Sequence, residues 1–240
     1  MHIIESHLHK LTEYKNIYFD LDNTLWDFEA NAKDAFREIF DLHHLWNTIT
    51  DFDKFISTFC LYNEQLWEKY RLGQIKKEAL RIERFSLMLH RLKIPDNNLS
   101  RLISDAYLEI MPQKSNTIRY AFEVLDYLKP KYRLFILTNG FREIQSAKLR
   151  NSKIVHYFNR IITSEDTHWQ KPDRRIFEYA LKSANAKKSE SLMVGDDLTV
   201  DILGAKNFGM DQVFFNRKMI SHHMKITYEI NELKELMMIL

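Results

Sequence analysis

The chain has 240 residues, 45% of them hydrophobic and 28% charged, with 35 Lys and Arg set against 33 Asp and Glu. That balance supplies a full apolar core and no basic block, so neither a nucleic-acid polymer nor an anionic membrane surface is the expected partner. One cysteine, Cys60, excludes an intrachain disulfide, and no window approaches the roughly 20 apolar residues of a membrane span.

The opening stretch "MHIIESHLHKLTEYK" carries no apolar run of signal-peptide length, which with the lone cysteine leads to the expectation of a cytoplasmic protein. The first predicted strand is "NIYFD" (16–20), and it ends on Asp20 with Asp22 close behind. Residues 27–112 then read as helix throughout. Thr50 and Asp51 offer N-caps before a stripe of Phe52, Phe55, Phe59, Tyr62, Leu66 and Tyr70. A second stripe, Phe85, Met88, Leu89 and Leu92, follows Gly73.

Four further apolar runs read as strands: "YRLFILT" (132–138), "NRIITS" (159–164), "SLMVGD" (191–196) and "DQVFF" (211–215). Helix-period segments separate them: "REIQSAKLR", "RRIFEYALKSA" and "VDILGAKNFG", the last closing on Gly209. Near-continuous apolar strands alternating with helices predict an α/β fold, a Rossmann-like parallel-sheet core with helices on both faces. An all-helical cap is inserted after its first strand. The expected boundaries are 1–26 and 113–240 for the core and 27–112 for the cap.

Sites in such sheets form at the carboxyl ends of strands. Asp20 and Asp22 follow the first strand, Thr138 and Asn139 the second, and Asp196 and Asp197 the fourth. Lys171, in "QKPD", precedes the helix leading into the fourth strand. Carboxylates gathered at one edge repel unless a cation joins them, and an all-oxygen set suits Mg²⁺. The five glycines, at 73, 140, 195, 204 and 209, allow neither GxGxxG nor GxxxxGK, which excludes those phosphate cradles. The histidines form no metal-ligand spacing.

"DLDNTL", "LTNG", "QKPD" and "GDDLTVD" resemble, in this order, the four motifs of the haloacid dehalogenase superfamily of phosphohydrolases. "DNTLWDFEANAKDA" and "LTNGFREIQSAKLRNSKIVHYFNRIITSED" resemble the branch that includes noncanonical pyrimidine nucleotidases. The resemblance implies a Mg²⁺-dependent phosphatase acting on a small phosphomonoester, a nucleoside 5'-monophosphate, through an aspartyl-phosphate. Asp20 is then the nucleophile and Asp22 the general acid and base. Thr138 binds a phosphoryl oxygen with Asn139 and Gly140 beside it, and Lys171 balances charge. The implied metal ligands are Asp20, the carbonyl of Asp22 and Asp196, with Asp201 and Asp197 behind them.

The dehalogenases lack the second aspartate, because a departing halide needs no proton; Asp22 therefore favours phosphoryl transfer. The same core serves phosphosugar phosphatases, phosphomutases and pyrophosphatases, and a non-catalytic binding protein is the reading from a different class. A small-molecule phosphate ester is the expected partner, and the chain is expected to be a monomer or homodimer.

Overall fold

The computed structural model of the chain describes residues 13–240. Residues 1–12, most of the stretch searched for a signal peptide and the start of the 1–26 core segment, lie outside the described residues. The described chain forms two compact units. One runs through Trp26 and takes in Thr117–Ser146 and Lys153–Leu240; the other is Asp27–Asn116 with Ala147–Ser152.

The first unit is built on six parallel strands: β1 Asn16–Phe19, β2 Arg133–Thr138, β3 Arg160–Thr163, β4 Ser191–Gly195, β5 Asp211–Phe215 and β6 Tyr228–Ile230. Their order is β3-β2-β1-β4-β5-β6. The chain moves outward from β1 to β3, then returns to β1's other side with β4. That reversal opens a crevice at the strand ends beside β1.

All four residues of β1 are buried, so neither face meets water. Tyr18, Phe135, Leu137 and Met193 form one core cluster with Ile176, Phe177, Ala180, Leu181 and Ala205. Each such large apolar side chain contributes roughly 1.5–3 kcal/mol of burial. Ile17, Phe19, Leu134 and Ile136, from the alternate positions, are equally enclosed. Two covered faces explain why these strands read as continuous rather than alternating apolar runs.

The helices are α1 Phe28–Leu42, α2 Phe52–Arg71, α3 Lys77–Leu92 and α4 Leu99–Ile110 in the insertion. The rest are α5 Ala121–Leu128, α6 Arg142–Asn151, α7 Ser164–Thr167, α8 Arg174–Ser183, α9 Leu203–Phe208 and α10 Leu236–Ile239. Gly209 ends α9 at φ 84°, the left-handed conformation in which a Cβ is costly.

The second unit has its own aromatic core. Phe36 packs edge-on against Phe55 and Phe59, with ring centroids 5.0 and 4.7 Å away, and stacks with Tyr107 at 5.0 Å. Phe55, Phe59, Leu66, Phe85, Met88 and Leu89 of the predicted stripes are buried. Phe52, Tyr62, Tyr70 and Leu92 are half-buried at the stripe edges. Asp51 caps α2, accepting from the Lys54 amide at 2.9 Å.

This unit extends past the expected limit of 112. Met111–Gln113 continues α4 as a 3₁₀ turn rather than stopping at Pro112. The Asn116 carbonyl then accepts from the Asp27 amide at 3.1 Å and from Asn31 Nδ2 at 2.8 Å. On the core side, Trp26 and Thr117 form an antiparallel bridge, and the Ile118 amide donates to the Leu25 carbonyl at 2.9 Å. The chain thus leaves and re-enters the core at neighbouring points.

Candidate active site

The turn after β1 sets the first two carboxylates. The Thr24, Leu25 and Trp26 amides all donate to the Leu21 carbonyl, at 3.3, 3.0 and 2.9 Å. Asn23 takes φ 62°, a region asparagine tolerates better than most residues. The Asp20 amide donates to the Val194 carbonyl at 2.9 Å, so the carboxylate is fixed at the β1–β4 seam. Asp20 is buried, while Asp22, further round the turn, is half-buried.

Lys171 reaches this seam from the loop before α8. The side chain of Asn139 holds its main chain from both sides, accepting from the Lys171 amide at 2.7 Å and donating to its carbonyl at 2.9 Å. Gly204 of α9 adds to the placement, since a Cβ there would lie 2.9 Å from Pro172 Cα. The ammonium is 1% exposed. It lies 2.7 Å from Asp20 Oδ1, 2.6 Å from Asp201 Oδ1 and 2.7 Å from the Leu137 carbonyl, to which it donates. Burial alone would favour the neutral amine, but the two carboxylates outweigh it and hold Lys171 protonated well above the usual lysine range.

Asp201 arrives by a route that helix periodicity did not reveal. Leu198–Ile202 is a π-helical turn in which the Ile202 amide donates to the Asp197 carbonyl at 3.2 Å. The wide turn carries Asp201 inward to 1% exposure, where its Oδ2 accepts from the Asp197 amide at 3.2 Å. Gly195 is required beneath it, because a Cβ there would lie 2.3 Å from that oxygen. Asp197 itself turns the other way. Its Oδ1 accepts from the Thr199 and Val200 amides at 2.8 and 2.9 Å, the pattern of an N-cap.

Asp20, Asp196 and Asp201 present carboxylate oxygens within 4.8 Å of one another. Burial and the surrounding Asp20, Asp201 and Asp197 raise the Asp196 carboxyl well above its ordinary value, against a 3.2 Å hydrogen bond from Thr24 Oγ1. Burial also lifts Asp201, to about 7, despite Lys171. The buried Asp20 and Asp201 share the Lys171 ammonium and the half-buried Asp196 lies beside them, and an all-oxygen donor set with that excess negative charge fits a hard divalent cation. Asp201 Oδ1 is ion-paired with Lys171 and its Oδ2 accepts from the Asp197 amide, while Asp20 Oδ1 faces Lys171 and Asp196 Oδ1 accepts from Thr24.

Thr138, at the end of β2, is 2% exposed. Its Oγ1 accepts from the Gly140 amide at 3.1 Å, so that N–H is turned to the hydroxyl. Two side chains at this edge have no role in the motif reading: Thr24, which bridges toward Asp196, and Gln145 on α6, which donates to Asp22 Oδ2 at 2.9 Å. Thr24 belongs to the quoted "DLDNTL". Gln145 carries no sequence signal beyond its place in a helix that follows "LTNG".

A carboxylate kept at a strand end by a buried ammonium, with a second acid two residues on, suits attack on a charged ester. The fold and this edge define a hydrolase built on a Rossmann-like parallel sheet. The chain belongs to the haloacid dehalogenase-like hydrolases, whose family model matches residues 14–209. It is 32% identical to pyrimidine 5'-nucleotidase PynA of Streptococcus pneumoniae over 93% of this chain and 94% of that one. It is 29% identical to a glyceraldehyde 3-phosphate phosphatase of Methanothermobacter thermautotrophicus, covering 85% and 87%. The magnesium-bound crystal structure of the HAD-hydrolase YfnB from Bacillus subtilis superposes with a TM-score of 0.85 at 29% identity, covering 95% of this chain and 98% of that one. Among the described residues no helix is long and apolar enough to cross a membrane.

Proposed function

We propose that this chain is a Mg²⁺-dependent phosphatase of small phosphomonoesters that prefers a nucleoside 5'-monophosphate. The observation that carries the reading is the Asp20 carboxylate, buried at the end of β1 and 2.7 Å from Lys171 Nζ. One Asp20 oxygen attacks phosphorus while the bond to the leaving oxygen breaks, and Asp22 gives that oxygen its proton. Asp22 then takes a proton from a water that attacks the aspartyl-phosphate, and phosphate departs as the Asp20 carboxylate is regenerated.

Lys171 balances the charge that the phosphoryl group brings to this buried edge. Thr138 donates its hydroxyl to a phosphoryl oxygen. Asp20, Asp196 and the Asp22 carbonyl would hold Mg²⁺, which when bound offsets the negative charge of carboxylates and phosphoryl group together. Asp201 keeps Lys171 in place.

The likeness to PynA supports the nucleotide preference, and the likeness to a glyceraldehyde 3-phosphate phosphatase keeps a sugar-phosphate substrate as the competing reading. A panel of nucleoside monophosphates and sugar phosphates, ranked by kcat/KM with Mg²⁺, separates the two. Preference for pyrimidine monophosphates is the expected result. Equal or better turnover of sugar phosphates overturns the nucleotide reading, and full activity in Asp20→Asn overturns the site.

A further inference from the structure

Gln145 is fully buried between two side chains of the strand-end site. Its Nε2 donates to Asp22 Oδ2 at 2.9 Å and to Thr138 Oγ1 at 2.8 Å. An amide nitrogen carries two hydrogens, so both bonds are made at once. The carboxylate also decides which way the amide faces: turned over, Oε1 would meet Asp22 acceptor to acceptor.

Holding this orientation is costly. Gln145 Oε1 is buried with no hydrogen-bond partner among the described residues. A buried acceptor left unmatched ordinarily destabilises a fold, so packing alone would favour an apolar side chain at this position. What the amide provides in return is its pair of donors.

The effect on Thr138 is specific. Oγ1 already accepts from the Gly140 amide, and Gln145 fills its second lone pair. The hydroxyl proton has no acceptor among the described residues, and the only role left to it is to donate outward.

We propose that Gln145 is a positioning residue that holds the Asp22 carboxylate and forces the Thr138 hydroxyl to act as a donor, tying the proton-transfer group to the phosphoryl-binding group. The inference rests on the reading of Asp22 as general acid given under Proposed function. Gly140 belongs to the same arrangement, because a Cβ there would lie 2.4 Å from Gln145 Nε2.

The test compares 4-nitrophenyl phosphate with phenyl phosphate in the Mg²⁺-loaded enzyme. Nitrophenolate leaves with little need of a proton, whereas phenolate depends on the general acid. The readout is the ratio of kcat/KM values, nitrophenyl over phenyl, which does not change with the fraction of protein correctly folded. Asp22→Asn is expected to raise the ratio at least about tenfold, in keeping with the weight of general acid catalysis. Gln145→Met, of similar length but without donors, is expected to raise it about fivefold or more. A raised ratio in Asp22→Asn with a native ratio in Gln145→Met overturns the proposal and leaves the Asp22 reading standing. A native ratio in Asp22→Asn overturns that reading, and the role given to Gln145 goes with it.

Discussion

Lys171 Nζ and Asp20 Oδ1 lie 2.7 Å apart although 151 residues separate them in the chain. Asp20 is pinned by its amide to β4, and Lys171 is held by the Asn139 side chain at the end of β2. The pair is therefore assembled by three neighbouring strands. Its geometry depends on the β1–β4 register and on the Asn139 side chain that fixes the loop carrying Lys171.

Removing the ammonium should leave Asp20 and Asp201 buried without their cation. Lys171→Met is expected to lose about 3–5 kcal/mol of stability, the cost typical of breaking a buried ion pair. Urea unfolding at neutral pH without added metal measures it. A loss under about 1 kcal/mol would mean that the pair is already well solvated. Phosphatase turnover should fall by at least about a hundredfold.

The raised carboxyls predict a pH dependence with a definite sign. A group that binds its proton more tightly when folded withdraws stability as pH rises from its unfolded value, 3.8 for aspartate, through its folded one. For Asp201 the folded value is about 7, and Asp196 shifts in the same direction. Metal-free protein should lose stability across that window. Mg²⁺ displaces those protons, so the Tm gained on adding it should grow from about pH 5 to about pH 8. A gain that stays flat or shrinks would count against a cation at this cluster.

Gly195→Ala should act through Asp201. The added Cβ lies 2.3 Å from Asp201 Oδ2 and must displace it, at a cost of about 1–3 kcal/mol. In an Asp201→Gly background, which removes the Asp201 Cβ at 2.6 Å as well as the carboxylate, the same change should cost far less. The double-mutant cycle tests this directly, and additive penalties would refute the contact.

Asp197 is expected to behave as a cap. Asp197→Asn should retain most activity, and Asp197→Ala should cost about 1 kcal/mol of stability through the lost bonds to the Thr199 and Val200 amides. Activity abolished by the asparagine variant would instead tie its negative charge to the reaction.

Strand–helix alternation made the sheet legible, because strands covered on both faces are written as unbroken apolar runs such as "LFIL" in β2. β6 escaped notice: Tyr228–Ile230 is three residues long and includes an exposed glutamate. Strand-end placement led to Asp20 and Asp196, with Lys171 ahead of α8, whereas Asp201 entered only through the resemblance. The direction of each side chain could not be read. Asp197 and Asp201 look alike in "GDDLTVD", and only the π-helical turn turns one inward and leaves the other as a cap. Gln145 was hidden for a related reason: a glutamine within a polar helix announces nothing until the fold sets it against Asp22.

The bridge between Trp26 and Thr117 has an evolutionary consequence. A segment whose two ends meet can be lengthened, shortened or exchanged without stretching its host, as domain insertions generally require. Here that segment also closes around its own rings, Phe36, Phe59 and Tyr107 among them. Such a cassette can be rewritten while the strands that carry the site keep their chemistry.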